Sequence, residues 1–242
     1  MVRKLANITV LTTTKNSELD ILNLIKSLNS QKNCDFEWLI VDGGSTDRTL
    51  DIVKENCKIN YRIISSKDFS IYHAMNLGIE SILTEYYCVA GSDDIFSENF
   101  IEIIFEFLNG ENDIILGKVL MGEKVIGPPK FARGWLNGMH GIGTSHSVGT
   151  IIKTELHKKF GTYSKLYPIV ADQYFIKKCF YGGAQIKKIN KIFGKYSING
   201  FSSSNKIHYQ ADFFKMQLET ENNWFLQLLI FNARLLKLKI LG

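Results

Sequence analysis

Four aspartates fall at or just beyond the ends of strand-like runs. Asp42 follows Phe36 to Val41, Asp68 lies a few residues after Tyr61 to Ser65, and Asp93 and Asp94 follow Tyr86 to Ala90 through Gly91-Ser92. One aspartate after a strand is usually a turn or a helix cap, and Asp47 is read that way, as a cap shared with Thr46. Asp93 and Asp94 resist that reading. Two adjacent like charges in a tight loop oppose each other's ionisation, and a divalent cation with oxygen ligands is the usual relief.

The elements that must hold these residues alternate in period. Ile8 to Thr12 is β-branched, and Ile21, Leu22, Ile25 and Leu28 then recur at helical spacing after Asn16 or Ser17. The alternation continues with a helix carrying Leu50, Val53 and Cys57, a helix from Ile71 to Leu83, a helix from Phe100 to Leu108 and an extended run from Ile114 to Leu120. This order predicts right-handed βαβ units and an α/β fold with a mostly parallel sheet. Ligands of such sheets sit beyond the carboxyl ends of the strands, where the four aspartates lie. From Gly127 to Gly143 five glycines and Pro128-Pro129 break the pattern, which predicts a mobile loop able to act as a lid. A strand over Ser147 to Ile152, a helix near Glu155, a helix opening at Asp172 and two short strands between Gln185 and Ile198 follow.

Composition narrows the class. The 242 residues are 45% hydrophobic and 22% charged, which excludes a disordered tail protein, and 3 prolines against 19 glycines exclude a proline-rich linker. Twenty-nine Lys and Arg against 24 Asp and Glu give a dispersed formal charge of +5. That suits anionic small molecules or an anionic membrane surface and gives no footprint for nucleic acid. Cys34, Cys57, Cys88 and Cys179 are far apart and read as reduced thiols, and MVRKLANITV has no signal-peptide pattern, so the protein is expected to be cytoplasmic, with the inner membrane face as a further place of work.

The segments Thr12-Thr13-Thr14-Lys15-Asn16, Ser27-Leu28-Asn29-Ser30-Gln31 and Val41-Asp42-Gly43-Gly44-Ser45-Thr46-Asp47 together resemble the opening of family 2 glycosyltransferases with the GT-A fold. The stretch from Asp68 to Ile79 (DFSIYHAMNLGI) is similar to the segment that follows in a bacterial polysaccharide branch, and Gly91-Ser92-Asp93-Asp94 is similar to its DXD-type metal motif. His146 and Ala171-Asp172 stand where that branch has a histidine and an acidic residue opening a helix. The resemblance covers about Ile8 to Ser202. Lys15, Ser70 and His73 depart from it, standing where an aromatic, a Gly and an Asp are common.

The resemblance implies an inverting transfer from a nucleotide-diphosphate sugar, UDP or dTDP favoured, to a saccharide or lipid-linked acceptor, with Mn²⁺ or Mg²⁺ as cofactor. Asp94 is the expected metal ligand. Thr13, Lys15, Asp42, Asp68 and Asp93 are the expected nucleotide-sugar contacts, with Asp42 accepting the N3–H of a uracil or thymine and Asp93 reaching ribose or sugar. Asp172 is the expected general base. His146 is read equally as shaping the acceptor side or as packing, and Trp135 as stacking on sugar or anchoring its loop. A silent GT-A binding module and a sugar nucleotidyltransferase are the alternatives. The second would need a glycine-rich basic loop after the first strand, which Thr12 to Asn16 does not provide, and no GxGxxG supports a dehydrogenase.

Residues 1–205 are expected to form the GT-A domain and 206–242 a helical extension. Trp224, Leu228, Phe231, Leu235 and Leu238 make one stripe of a helix, and Phe225, Leu229, Leu236 and Ile240 a second, interrupted by Arg234, Lys237 and Lys239. Three arrangements stay open for it: packing on its own domain, a homodimer interface, or lying peripherally on an anionic membrane.

Overall fold

The computed structural model describes residues 7–66, 70–129, 133–143, 146–197 and 206–241. Its first third is a run of βαβ units: β1 (Ile8–Thr14), α1 (Ile21–Asn29), β2 (Phe36–Asp42), α2 (Thr49–Asn56), β3 (Tyr61–Ser65), α3 (Ile71–Glu80) and β4 (Tyr86–Val89). Then come β5 (Ile95–Phe96), α4 (Phe100–Phe105), β6 (Ile114–Met121), β7 (Lys124–Ile126), α5 (Gly134–Asn137), β8 (Thr150–Lys153), α6 (Leu156–Phe160), α7 (Ala171–Tyr181) and β9 (Ile186–Tyr196). Two helices, α8 (Lys206–Thr220) and α9 (Trp224–Leu241), close the chain.

One sheet runs in the order β3-β2-β1-β4-β8-β6-β9-β5, with β7 paired to β6. The first four strands are parallel. Beyond β4 the pairings with β8 and from β8 to β6 are antiparallel, and β9 returns parallel to β6. The region expected as two short strands is a single 11-residue strand, β9, because it pairs along nearly all of β6 across a bulge beside Gly117.

Strand alternation sorts the core. Ile8, Val10, Trp38, Ile40 and Cys88 face α1 and α4 on one side, where Leu24, Leu28, Phe100 and Ile104 pack. Leu11, Leu39, Val41, Tyr87 and Val89 face α3, α7 and α8 on the other, where Met75, Ile79, Phe175 and Met216 pack. Each such large apolar side chain contributes about 1.5–3 kcal/mol by leaving water. Because the chain moves outward from β1 to β3 and then returns to place β4 on the far side of β1, the sheet reverses direction between β1 and β4. A crevice opens at that point, beyond the carboxyl ends of the two strands.

The glycine-rich segment, expected as a mobile loop able to act as a lid, is folded into short helical turns over its described residues 133–143. Residues 134–137 form α5 and 138–141 a 3₁₀ turn, with Met139 and Ile142 buried. Its glycines serve close approach. A Cβ on Gly141 would sit 2.4 Å from the Arg133 carbonyl oxygen, and Gly138, at φ +55°, lies against Phe213 of α8. Three successive carbonyls of α5, at Gly134, Trp135 and Leu136, accept from Gln217, Gln227 and Arg234 of α8 and α9. Within the helix the Gly134 carbonyl also takes the Gly138 N–H, and the carbonyls nearer the end of so short a helix need partners from outside it.

Candidate functional site

A cavity of about 770 Å³ occupies the crevice between β1 and β4. Thr13, Thr14 and Lys15 from the end of β1 line one side with Gly43, and the Ala90 to Asp94 turn lines the floor. Tyr72 of α3, Met139, His146 and Asp172 of α7 line the far side. The structure therefore brings together Thr13, Lys15, Asp93, Asp94 and Asp172 of the expected set. Asp68 lies outside the described residues.

Asp42 is not brought into the lining. Its carboxylate is buried and receives the N–H groups of Gly44 and Ser45 at 3.0 and 3.1 Å, so its oxygens fold the turn after β2 rather than face the cavity. Asp47 does what a cap should. Its Oδ1 accepts the Thr49 N–H at 3.0 Å and the Thr49 hydroxyl at 2.6 Å at the head of α2.

The Asp93-Asp94 turn is the most strained electrostatic feature of the cavity. Asp94 is 1% exposed, and its Oδ2 accepts the Gly91 N–H at 2.7 Å. Its Oδ1 has no hydrogen-bond partner among the described residues. Burial pushes its pKa up to about 8, with the Gly91 N–H opposing and the Asp93 charge adding to the rise. Gly91 is required here, because a Cβ would lie 2.7 Å from Asp93 Oδ1 and 3.3 Å from Asp94 Oδ2. Both carboxylates thus crowd over one glycine.

His146 Nδ1 stands 3.9 Å from Asp94 Oδ2. Its ring stacks on Tyr196 at 4.2 Å, and burial lowers its pKa to about 4. It is neutral near pH 7 and so supplies no positive charge that would hold Asp94 ionised. A hydroxyl chain ties this turn to the start of the fold, with Thr14 and Ser92 both donating to Ser17 Oγ, at 2.9 and 3.0 Å.

Asp172 is the second residue of α7 and half-buried, with its carboxylate at the cavity. Crowding by protein atoms raises its pKa, against the hydrogen bond from Tyr72. The Tyr72 hydroxyl lies 2.7 Å from Asp172 Oδ1 and 2.9 Å from the Ile169 carbonyl oxygen. Tyr72 stands inside the DFSIYHAMNLGI segment, but no local pattern marks it as the partner of a residue 100 positions away. His157 takes its packing role, stacked on Phe175 at 4.1 Å and bonded to the Tyr87 hydroxyl at 2.6 Å.

No group of three or more His, Cys, Asp and Glu side chains fit for a metal occurs among the described residues. That does not disqualify the Asp93-Asp94 turn. Mg²⁺-like ions are commonly held by one or two carboxylates together with substrate phosphates and water. The unpartnered Asp94 Oδ1 beside Asp93 is a donor set of that kind.

The family model for glycosyl transferase family 2 matches residues 9–167, two thirds of the chain. The chain belongs to glycosyl transferase family 2. Among family relatives, a PGL/p-HBAD biosynthesis glycosyltransferase of Mycobacterium tuberculosis is 26% identical over 174 residues, 68% of this chain and 66% of that protein. A teichoic acid poly(glycerol phosphate) polymerase of Staphylococcus epidermidis is 30% identical over 112 residues, 45% of this chain. The chain spans only 16% of that polymerase's length. Among solved structures, S. aureus TarS in complex with UDP aligns with a TM-score of 0.68 at 20% identity, over 93% of this chain and 69% of that one. A Pyrobaculum calidifontis mannosyltransferase with GDP-Man and Mn²⁺ aligns at 0.66 and 13% identity, over 98% of this chain and 76% of that one. These likenesses are of fold, and they establish the GT-A architecture with its helical C-terminal segment. Among the described residues no helix is long and apolar enough to cross a membrane.

Proposed function

We propose that the chain is an inverting glycosyltransferase that moves a sugar from a nucleotide diphosphate, UDP or dTDP favoured, to a saccharide or lipid-linked acceptor. The product belongs to a bacterial surface polysaccharide, a reading supported by the teichoic acid polymerase and the PGL/p-HBAD biosynthesis glycosyltransferase among the relatives. Residues 1–205 are read as the catalytic domain, with 206–242 an extension packed against it. Four free thiols fit work in a reducing compartment, the cytoplasm.

One observation carries the reading. A single cavity holds a buried carboxylate with one oxygen left without a hydrogen bond among the described residues, Asp94, on its strand side and a half-buried carboxylate gripped by a tyrosine, Asp172, on its helix side. The Asp93-Asp94 turn would hold Mn²⁺ or Mg²⁺, which stabilises the charge gathering on a departing diphosphate. Thr13 and Lys15 border the same rim and are assigned to the nucleotide, with Lys15 offering a cation to phosphate. Asp93 is assigned to the donor's ribose or sugar hydroxyls. Asp172 takes the proton of the acceptor hydroxyl as that oxygen attacks the anomeric carbon. Its raised pKa makes it a stronger base once ionised, and Tyr72 fixes which oxygen faces the acceptor. With one base and no second carboxylate assigned as nucleophile, the attack is in line and inverts the anomeric carbon. Asp42 is assigned to the rim through its turn.

Thermal unfolding against a panel of nucleoside diphosphates, with and without Mn²⁺, tests this. A ligand of the native state raises the melting temperature by mass action. A rise that needs both nucleotide and Mn²⁺ is expected. Silence toward every nucleotide would overturn the reading. Nucleotide binding without metal-dependent breakdown of any nucleotide sugar would leave a silent binding module.

A further inference from the structure

The last helix presents two unlike sides. Its inner side is committed. Gln227 is buried, Phe231 stacks on Phe214 at 4.4 Å, and the Arg234 guanidinium lies 4.1 Å from the centre of the Phe213 ring while donating to the Leu136 carbonyl. Its outer side is Trp224, Phe225, Leu228, Leu229, Leu236 and Ile240, all exposed, and all but Leu228 more than half so. At 3.6 residues per turn these six fall on one continuous stripe, opposite the buried Gln227. Water-facing Leu, Ile, Phe and Trp on a surface helix of 18 residues mark a surface that something covers.

Charge selects the occupant. From 222 to 242 the sequence has no Asp or Glu, while Arg234, Lys237 and Lys239 crowd the end of the stripe. A second copy packed on this helix would bring apolar stripe to apolar stripe but offer no acidic residue of its own α9 to either lysine. An anionic lipid surface offers both apolar chains and negative headgroups. The helix is not long and apolar enough to cross a bilayer, so a bilayer that covers its stripe would take it in plane. Trp224 and, on the neighbouring α5, the exposed Trp135 are of the residue type that settles at the headgroup level. Lys239 falls within the stripe, and its long stem lets the ammonium reach the headgroups while the stem stays among apolar atoms.

We infer that α9 is an in-plane docking helix for an anionic bilayer, seated through Trp224, Phe225, Leu228, Leu229, Leu236 and Ile240 and held by Lys237 and Lys239. This does not depend on the transferase reading. It does place the cavity: the docked helix grips α5 through Arg234 and Gln227, and Met139, in the turn after α5, lines the cavity. An acceptor carried in the same leaflet would meet the protein on that side.

Co-sedimentation of the whole chain with phosphatidylcholine vesicles, with and without phosphatidylglycerol, tests the inference. Binding is expected to the anionic vesicles, weakening as salt rises. Lys237→Gln with Lys239→Gln should lower the affinity about 30-fold, a lysine near an anionic surface being worth about fivefold. Leu229→Glu with Leu236→Glu should abolish binding while circular dichroism and melting stay as in the parent, since both side chains already face water. No sedimentation with anionic vesicles at low salt overturns the inference, as does binding indifferent to the Leu229 and Leu236 pair. A concentration-dependent dimer that the same pair splits into monomers would assign the face to a second copy and overturn it too.

Discussion

Thr13 and Asp172 face the same cavity but are placed there by different means. Thr13 inherits its position from the sheet. It pairs with Val41 of β2, and two residues earlier Leu11 pairs with both Leu39 and Val89, so the ends of three strands are fixed by one register. Asp172 has no such frame. Tyr72 reaches it from α3, Asp212 of α8 accepts the Ile169 N–H at 3.1 Å, and Glu219 of α8 takes the hydroxyls of Tyr167 and Tyr174 on either side of it. The strand wall is built by backbone register and the helix wall by side-chain bonds. A site with two such walls can bind with one and react with the other.

The sharpest test of that division compares two substitutions of equal size. Asp94→Asn on the strand wall should take transfer to background and weaken metal-supported nucleotide binding as well, since one carboxylate serves both. Asp172→Asn on the helix wall should cost about 10²–10⁴ in turnover, the usual range for a lost general base, and leave donor affinity near that of the parent. Single-turnover transfer and donor calorimetry on the two variants read this directly. Donor affinity that collapses in Asp172→Asn would erase the distinction between the walls.

Tyr72→Phe should act through pH. Asp172 must be ionised to accept a proton, so activity falls as pH drops through its raised pKa. The Tyr72 hydrogen bond favours the ionised carboxylate. Removing it raises that pKa further, and the acid limb of kcat should move to higher pH by about 1–2 units, the equivalent of about 1.5–3 kcal/mol for a bond to a charged group. An acid limb left in place, with activity simply lower at every pH, would make Tyr72 a packing residue only.

Asp42→Ala should have the smallest effect. The Gly44 and Ser45 N–H groups it satisfies are near the surface and can turn to water, so a stability loss of about 1 kcal/mol is expected. Nucleotide affinity should change little. Calorimetry showing a loss of about 1.5–3 kcal/mol in nucleotide binding at unchanged melting temperature would return Asp42 to direct contact with the base.

The same division explains what the sequence discloses. The β-branched runs, the helical spacing of Ile21 to Leu28 and the Asp93-Asp94 pair are local patterns, and the structure places them as the patterns imply. The glycine-rich segment misleads because glycine marks both freedom and close approach, and what decides between them is α8 and α9, about 80 residues or more away. Asp42 shows the converse. Its place at the end of β2 is legible, but the direction of its carboxylate depends on the turn that follows. Tyr72 and Gln217 escape notice altogether, since each matters only through partners distant in sequence.

The clasp on α5 also sets a schedule. Arg234 bonds the Leu136 carbonyl across 98 residues of chain. At a synthesis rate of about 5–20 residues per second, roughly 5–20 s separate the emergence of the two partners from the ribosome. The β1 to β4 crevice is made from the first hundred residues and can pair early, whereas the opposite wall stays unclasped through that interval. A nascent chain with its β1 to β4 crevice paired thus still has α5 unclasped, and the helix that clasps it is the same one that carries the apolar stripe.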